Sequence, residues 1–178
     1  MRNLSALSLS AVILLASCSQ EQNAASNNTL ASTDFDHFDG WLGNYSSALT
    51  KNQAHSGGYS TMVGPGQEYS LGYSNELGKL SPDWPAKITV GAWVLSEGQT
   101  SAKMVIEVKP GNDNRPPLIW EGIDLSKAVT MQNKWQYVES TITMPTTAKS
   151  ESLLKVYMWS ANTRQPVYLD DLKISLAE

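Results

Sequence analysis

The chain is poor in the residues that usually carry chemistry. Its single cysteine, Cys18, precedes everything that reads as a domain. Beyond it there can be no disulfide, no thiolate-bound metal and no thiol nucleophile, whatever the redox state of the compartment. Histidine occurs twice, at His37 and His55, and the two do not form a zinc-binding pair. His55 stands beside a Ser-Gly turn and reads as a turn residue rather than a general base. No Gly-x-Ser-x-Gly elbow is present, and no glycine-rich phosphate loop opens a helix. The nearest acidic pairs are Glu121 with Asp124 and Asp170 with Asp171. Each is separated by an odd number of positions, so on a strand its members face opposite ways, whereas a glycosidase needs both carboxylates on one face. Net charge is −4 and no basic run follows the first residues, which excludes the basic stripe that nucleic acid requires. After the N-terminus no apolar run approaches the roughly 20 residues that span a bilayer. There is no long helical period and no internal repeat. These absences point away from an enzyme.

The N-terminus is more explicit. Met1-Arg2-Asn3 supplies an early positive charge, and Ala6 to Ala16 is an apolar core too short to cross a membrane. It ends in Leu14-Leu15-Ala16-Ser17-Cys18, which resembles the lipobox of bacterial lipoproteins. That resemblance implies removal of residues 1–17 and acylation of Cys18, so that the membrane is a partner through the lipid anchor. Each buried CH₂ contributes about 0.8 kcal/mol, so several acyl chains on one residue hold where one is marginal. In that family an Asp after the lipidated Cys retains the protein in the inner membrane. Ser19 stands there instead, which implies the outer membrane, with the leaflet left open. Residues 18–33 are Ser, Asn, Gln, Ala and Thr with little to bury and read as a flexible tether. Residues 34–178 have the length of one domain.

That domain reads as strands. Ala86–Ser96 alternates Ile88, Val90, Ala92 and Val94 against Thr89, Gly91, Trp93 and Leu95. Ala102–Lys109 and Ser152–Ser160 alternate likewise, and Val167–Leu176 sets Tyr168, Asp170, Leu172 and Ile174 on one side. Period two with β-branched and aromatic enrichment signals half-buried strands. The turn clusters between them argue for a sandwich or jelly roll. Asp124–Ala128 is expected to form one helical turn. Trp41 and Trp135 read as core, while Trp84 and Trp120, beside prolines, read as loop pins.

Five stretches in order resemble carbohydrate-binding modules of families four, nine and twenty-two, within the galactose-binding-like jelly rolls. They are Phe35-Asp36 with Gly40-Trp41, Ala54 to Ser60, Ile88 to Val94, Trp135 to Val138, and Val167 to Leu172. The resemblance implies an all-β jelly-roll sandwich and a glycan partner, its identity open. It also implies a structural Ca²⁺ held by Asp36, Asp170 and carbonyls near Ser56 to Tyr59. Here Asp36 stands where the family has the longer Glu. By parity Asp170 is expected to point inward, where an unpaired carboxylate is costly. The alternative is that Asp36 sits in solvent and Asp170 accepts backbone N–H groups. For the glycan, aromatic rings stack sugar faces and a few polar groups fix hydroxyls. Trp93, Glu107, Tyr157 and Trp159, with Lys155, are expected to share one outward face of a single sheet. A second functional class stays open, in which the sandwich is a scaffold that meets a protein partner in an envelope complex.

Overall fold

The computed structural model describes residues 28–38, 47–81, 85–111 and 114–177. The signal segment, Cys18, most of the tether, Gly40-Trp41 and Trp84 lie outside the described residues. In chain order the elements are β1 (Thr29–Thr33), a 3₁₀ turn (Asp36–Phe38), β2 (Leu49–Thr50), β3 (Ser60–Val63) and β4 (Tyr73–Glu76). There follow the one-turn helix α1 (Leu77–Leu80), β5 (Lys87–Ser96), β6 (Lys103–Lys109) and β7 (Ile119–Asp124). The one-turn helix α2 (Leu125–Ala128), β8 (Gln136–Thr143), β9 (Leu153–Trp159) and β10 (Val167–Leu176) complete the chain. They form two antiparallel sheets. One has the order β2-β3-β10-β5-β8 with β1 also on β10, and the other the order β4-β9-β6-β7.

The alternation read from the sequence builds the layer between the sheets. Ile88, Val90, Ala92 and Val94 of β5 pack in one core with Met104, Ile106 and Val108 of β6 and Leu154, Val156 and Met158 of β9. All ten are fully buried, and each larger aliphatic side chain contributes about 1.5–3 kcal/mol relative to exposure. The helical turn α2 forms as expected: Asp124 Oδ1 accepts the Ser126 N–H at 3.1 Å and its hydroxyl at 2.7 Å, a side-chain N-cap.

Two expectations are corrected here. Residues 29–33, assigned to the tether, form β1 and pair with the closing strand from Ser175 to Leu172, so the folded domain begins before residue 34. The alternating Thr29, Ala31 and Thr33 are too polar to announce a strand, and β10 supplies the pairing edge. The second correction concerns parity in β10. A bulge interrupts its pairing with β5 between Asp170 and Lys173, and Asp171 adopts a left-handed φ of 48°, a conformation Asp tolerates better than most residues. The extra residue reverses the alternation. Val167 and Leu169 before it, and Leu172 and Ile174 after it, join the core. Asp170 therefore does not point inward between the sheets. It shares the outer face with Tyr168 and lies opposite Trp93, and it is buried because a loop covers it.

Candidate functional site

The outer face of the four-stranded sheet carries three rows of side chains. The register sets Trp120 against Glu107, Glu107 against Lys155, and Lys155 against Ser74. The next row runs Gly122, Val105 and Tyr157, and the third Asp124, Lys103 and Trp159, with Tyr69 bridged to Trp159. Gly122 makes room for its neighbour: a Cβ there would lie 2.8 Å from the Trp120 ring, so the indole lies over the bare backbone. Trp159 meets Trp120 edge-on at 6.4 Å, and Tyr69 meets Tyr157 edge-on at 5.9 Å. Trp120 and Tyr69 keep 45% and 50% of their surface in solvent, an unusual exposure for rings flanked by other rings.

Polar groups converge among them. The Tyr157 hydroxyl donates to Glu107 Oε2 at 3.2 Å, and the Trp159 indole N–H donates to Glu68 Oε1 at 3.3 Å. Burial first, then the Glu107 charge, pushes the Tyr157 phenol up to about 12, so it stays a protonated donor through neutral pH. No described residue forms an ion pair with Lys155. A groove of about 290 Å³ runs beside Tyr157, lined by Tyr69, Gly72, Ser74, Glu107 and Lys155 among others. Gly72 has to be glycine there, since a Cβ would sit 2.0 Å from the Val156 carbonyl. An aromatic floor with a carboxylate, an ammonium and hydroxyls at its edge is suited to stacking a ring-shaped polar ligand and binding its hydroxyls.

Glu107, Tyr157, Trp159 and Lys155 thus meet as expected, but Trp93 does not join them. It belongs to β5, in the other sheet, and stands on that sheet's outer face. Trp120 and Tyr69 were the residues the sequence reading missed. The prolines before Trp120 masked the alternation Ile119-Trp120-Glu121-Gly122, and Tyr69 lies in a segment with no regular strand period.

A second cluster surrounds the turn at residues 54–59, which folds over the outer face of the six-stranded sheet. Asp170 Oδ2 accepts the backbone N–H of His55 at 2.8 Å and of Ser56 at 3.1 Å, and its Oδ1 accepts the N–H of Asp171 at 2.7 Å. Burial pushes the Asp170 carboxyl above its usual range, against the pull of those donors. The Asp171 carboxylate takes His55 Nδ1 and the Ser56 hydroxyl, each at 2.6 Å. Both donors end on the carboxylate and Ser56 does not reach the imidazole, so no Ser-His-Asp relay is formed. The His55 ring stacks on Trp93 at 4.1 Å and meets Trp135 edge-on at 5.7 Å. Trp135, expected in the core, is therefore part of this outer cluster.

The fit of the implied Ca²⁺ turns on Asp36. Its Oδ1 accepts the Gly58 N–H at 2.7 Å, while its Oδ2 is buried without a hydrogen-bond partner. Gly57 adopts a φ of +55°, and a Cβ there would lie 1.9 Å from that oxygen. One Asp36 oxygen is therefore shut off from solvent, and that bare oxygen suits a cation. Asp170 shows the donor-satisfied arrangement that was the alternative. No group of three or more His, Cys, Asp or Glu among the described residues is placed to hold a metal, so any ion here would draw on backbone carbonyls.

No protein-family model matches the chain, and no curated protein sequence does. Solved structures do. The CBM22-1 xylan-binding domain from Paenibacillus barcinonensis Xyn10C is 17% identical, with 85% of this chain and 96% of that chain covered at a TM-score of 0.50. The tandem CBM22-1-CBM22-2 domain of the same protein is 16% identical, covering 88% of this chain and 52% of that one at 0.57. The C-terminal family 22 carbohydrate-binding module of Clostridium thermocellum Xyn10B is 13% identical, covering 85% and 95% at 0.53. The fold is thus the β-sandwich of jelly-roll carbohydrate-binding modules.

Proposed function

We propose that this chain is a non-catalytic glycan-binding lipoprotein of the outer membrane, taking polysaccharide across the outer face of the four-stranded sheet. The observation that carries the reading is the grouping of Trp120, Tyr157, Trp159 and Tyr69 around Glu107 and Lys155. Beside Tyr157 the Glu107 carboxylate and the Lys155 ammonium stand in adjacent register, a pairing that suits a sugar with hydroxyls to donate and accept. A neighbour of the same fold whose name records xylan binding, and another carbohydrate-binding module whose title records ligand binding in its cleft, support the class. Retardation of the full-length protein, in detergent, through native gels containing xylan, mixed-linkage β-glucan or galactomannan is the test. Migration unchanged by all three polysaccharides argues instead for the scaffold role with an envelope protein partner.

Anchoring is proposed to pass through Cys18. Replacing Cys18 by Ser is expected to leave an unprocessed or soluble protein. A processed Cys18→Ser chain still found in the outer-membrane fraction removes the lipid from the account.

A Ca²⁺ is proposed at the turn, held by the bare Asp36 oxygen and carbonyls within residues 56–59, all hard oxygen donors, with Asp170, whose oxygens already accept three N–H groups, adding negative charge beneath the turn. Bound there, it adds the positive charge that ties the turn to the closing strand. At 100 times its Kd such an ion adds about 2.7 kcal/mol, and a domain of this size gains roughly 2–4 °C per kcal/mol. Chelator is expected to lower the melting temperature by several degrees, Ca²⁺ to restore it, and Asp36→Asn to abolish the difference. Identical melts with and without chelator would exclude the ion.

A further inference from the structure

The opposite face of the sandwich repeats the parts of the proposed glycan site. On the outer side of β8 and β5, Tyr137 lies across Gly91: a Cβ at Gly91 would sit 2.1 Å from the phenol oxygen and 2.6 Å from Cζ. Trp120 covers Gly122 in the same manner. Trp93 meets Tyr137 edge-on at 5.6 Å with an interplanar angle of 62°, as Trp159 meets Trp120 at 73°. The Trp93 ring is fixed from behind by its stack with His55, so the wall beside Tyr137 is rigid. The register places Glu139 on one side of Gly91 and Lys173 on the other. Both side chains are exposed, and each strand lies about 4.8 Å from the next. A carboxylate and an ammonium therefore flank the phenol, as Glu107 and Lys155 border the other groove. The row at Thr89 and Thr141 adds two hydroxyls, 2.8 Å apart.

Covering Gly91 accounts for the position of Tyr137 but not for its exposure, at 46%. Among the described residues it is one of four large apolar side chains left in solvent, and Trp120 and Tyr69 are two of the others. A protein interface places its exposed aromatic in a core depleted of charge. Here a single ring stands between a Glu and a Lys, which suits a small polar ring better than an apolar partner.

We propose that Tyr137, Glu139 and Lys173 form a second glycan-binding subsite, taking one neutral pyranose unit on the sheet face opposite the first site. The two faces are separated by the thickness of the sandwich, so one chain would hold two polysaccharide strands and join them. This stands on its own geometry and shares with the preceding reading only the class of ligand.

The test uses the full-length protein and the same three polysaccharide gels, with Trp120→Ala, Tyr137→Leu and the double variant. Leucine still covers Gly91, and an unchanged melting temperature checks the fold. Trp120→Ala is expected to leave weak residual binding. Adding Tyr137→Leu should reduce that residue by about ten-fold or more, the loss of one stacked ring and its contacts. Glu139→Gln in the Trp120→Ala background should act in the same direction. Three outcomes overturn the proposal: Tyr137→Leu without effect in both backgrounds, Trp120→Ala abolishing all binding, or no retardation of the wild type. The first two leave the first site standing, and the third removes both. An effect of Tyr137→Leu with none of Trp120→Ala supports the second subsite and rejects the first.

Discussion

Replacing Asp170 by Ala should lower the melting temperature by roughly 10 °C, the largest loss expected from a single side chain on the outer faces. The carboxylate is fully buried and accepts the backbone N–H groups of His55, Ser56 and Asp171. Alanine leaves three donors facing a cavity, and an unsatisfied buried donor costs about 1–3 kcal/mol. The His55 and Ser56 groups are partly buried, so water recovers some of this, and about 3–4 kcal/mol is a fair total. At roughly 2–4 °C per kcal/mol that is near 10 °C. Asp170→Asn keeps a carbonyl acceptor and should lose about half as much. The change also has a local signature. The turn carries His55 onto Trp93, so near-ultraviolet circular dichroism from that stack should weaken before global unfolding. A melt within a degree or two of wild type would show that the turn does not depend on Asp170.

Trp120→Ala is expected to weaken polysaccharide binding by ten- to thirty-fold while moving the melting temperature little. The ring is nearly half exposed and rests on Gly122, so its removal uncovers backbone and Val105 but opens no interior cavity. Stacking of aromatic pairs contributes about 0.5–1.5 kcal/mol beyond area burial. The Trp159 ring, braced edge-on against Trp120, loses its orientation as well, and about 1.4 kcal/mol is ten-fold in affinity. Trp120→Phe should recover most of the binding, since it restores a flat ring over Gly122. Binding should also persist to about pH 10, because the Tyr157 phenol is pushed up to about 12 and still donates there. Wild-type affinity in Trp120→Ala would remove the four-stranded face from the function.

The strands were legible wherever one face is apolar and the other is not. In β9 burial follows the alternation throughout, and in β5 and β6 every inward residue is buried while outward Gly91, Leu95 and Val105 are covered as well, because a residue shifted by one position would reach the opposite face. The one-turn helix after Asp124 was legible because its cap is local: Asp124 bonds Ser126, two residues on. The lone cysteine, ahead of the strands, left none within residues 34–178 to form a disulfide.

Features that depend on distant partners were not legible. The strand Thr29–Thr33 exists because β10 offers it an edge, and its own polar residues give no period that announces it. The sequence shows Asp170-Asp171 but not the left-handed Asp171 and the bulge, which turn Asp170 away from the core and beneath the 54–59 turn. Trp93, Tyr157 and Trp159 share outward parity in their own strands, yet alternation says nothing about which sheet a strand joins. Pairing of β9 with β6, and of β5 with β10 and β8, put Trp93 on the opposite side of the molecule. It also brought Trp120, which the sequence left in a loop, onto the proposed glycan face. Composition and local pattern determined which strand faces are apolar and pack into the core. The pairing of distant strands decided which polar and aromatic side chains meet, because register is set by contacts between segments far apart in the chain.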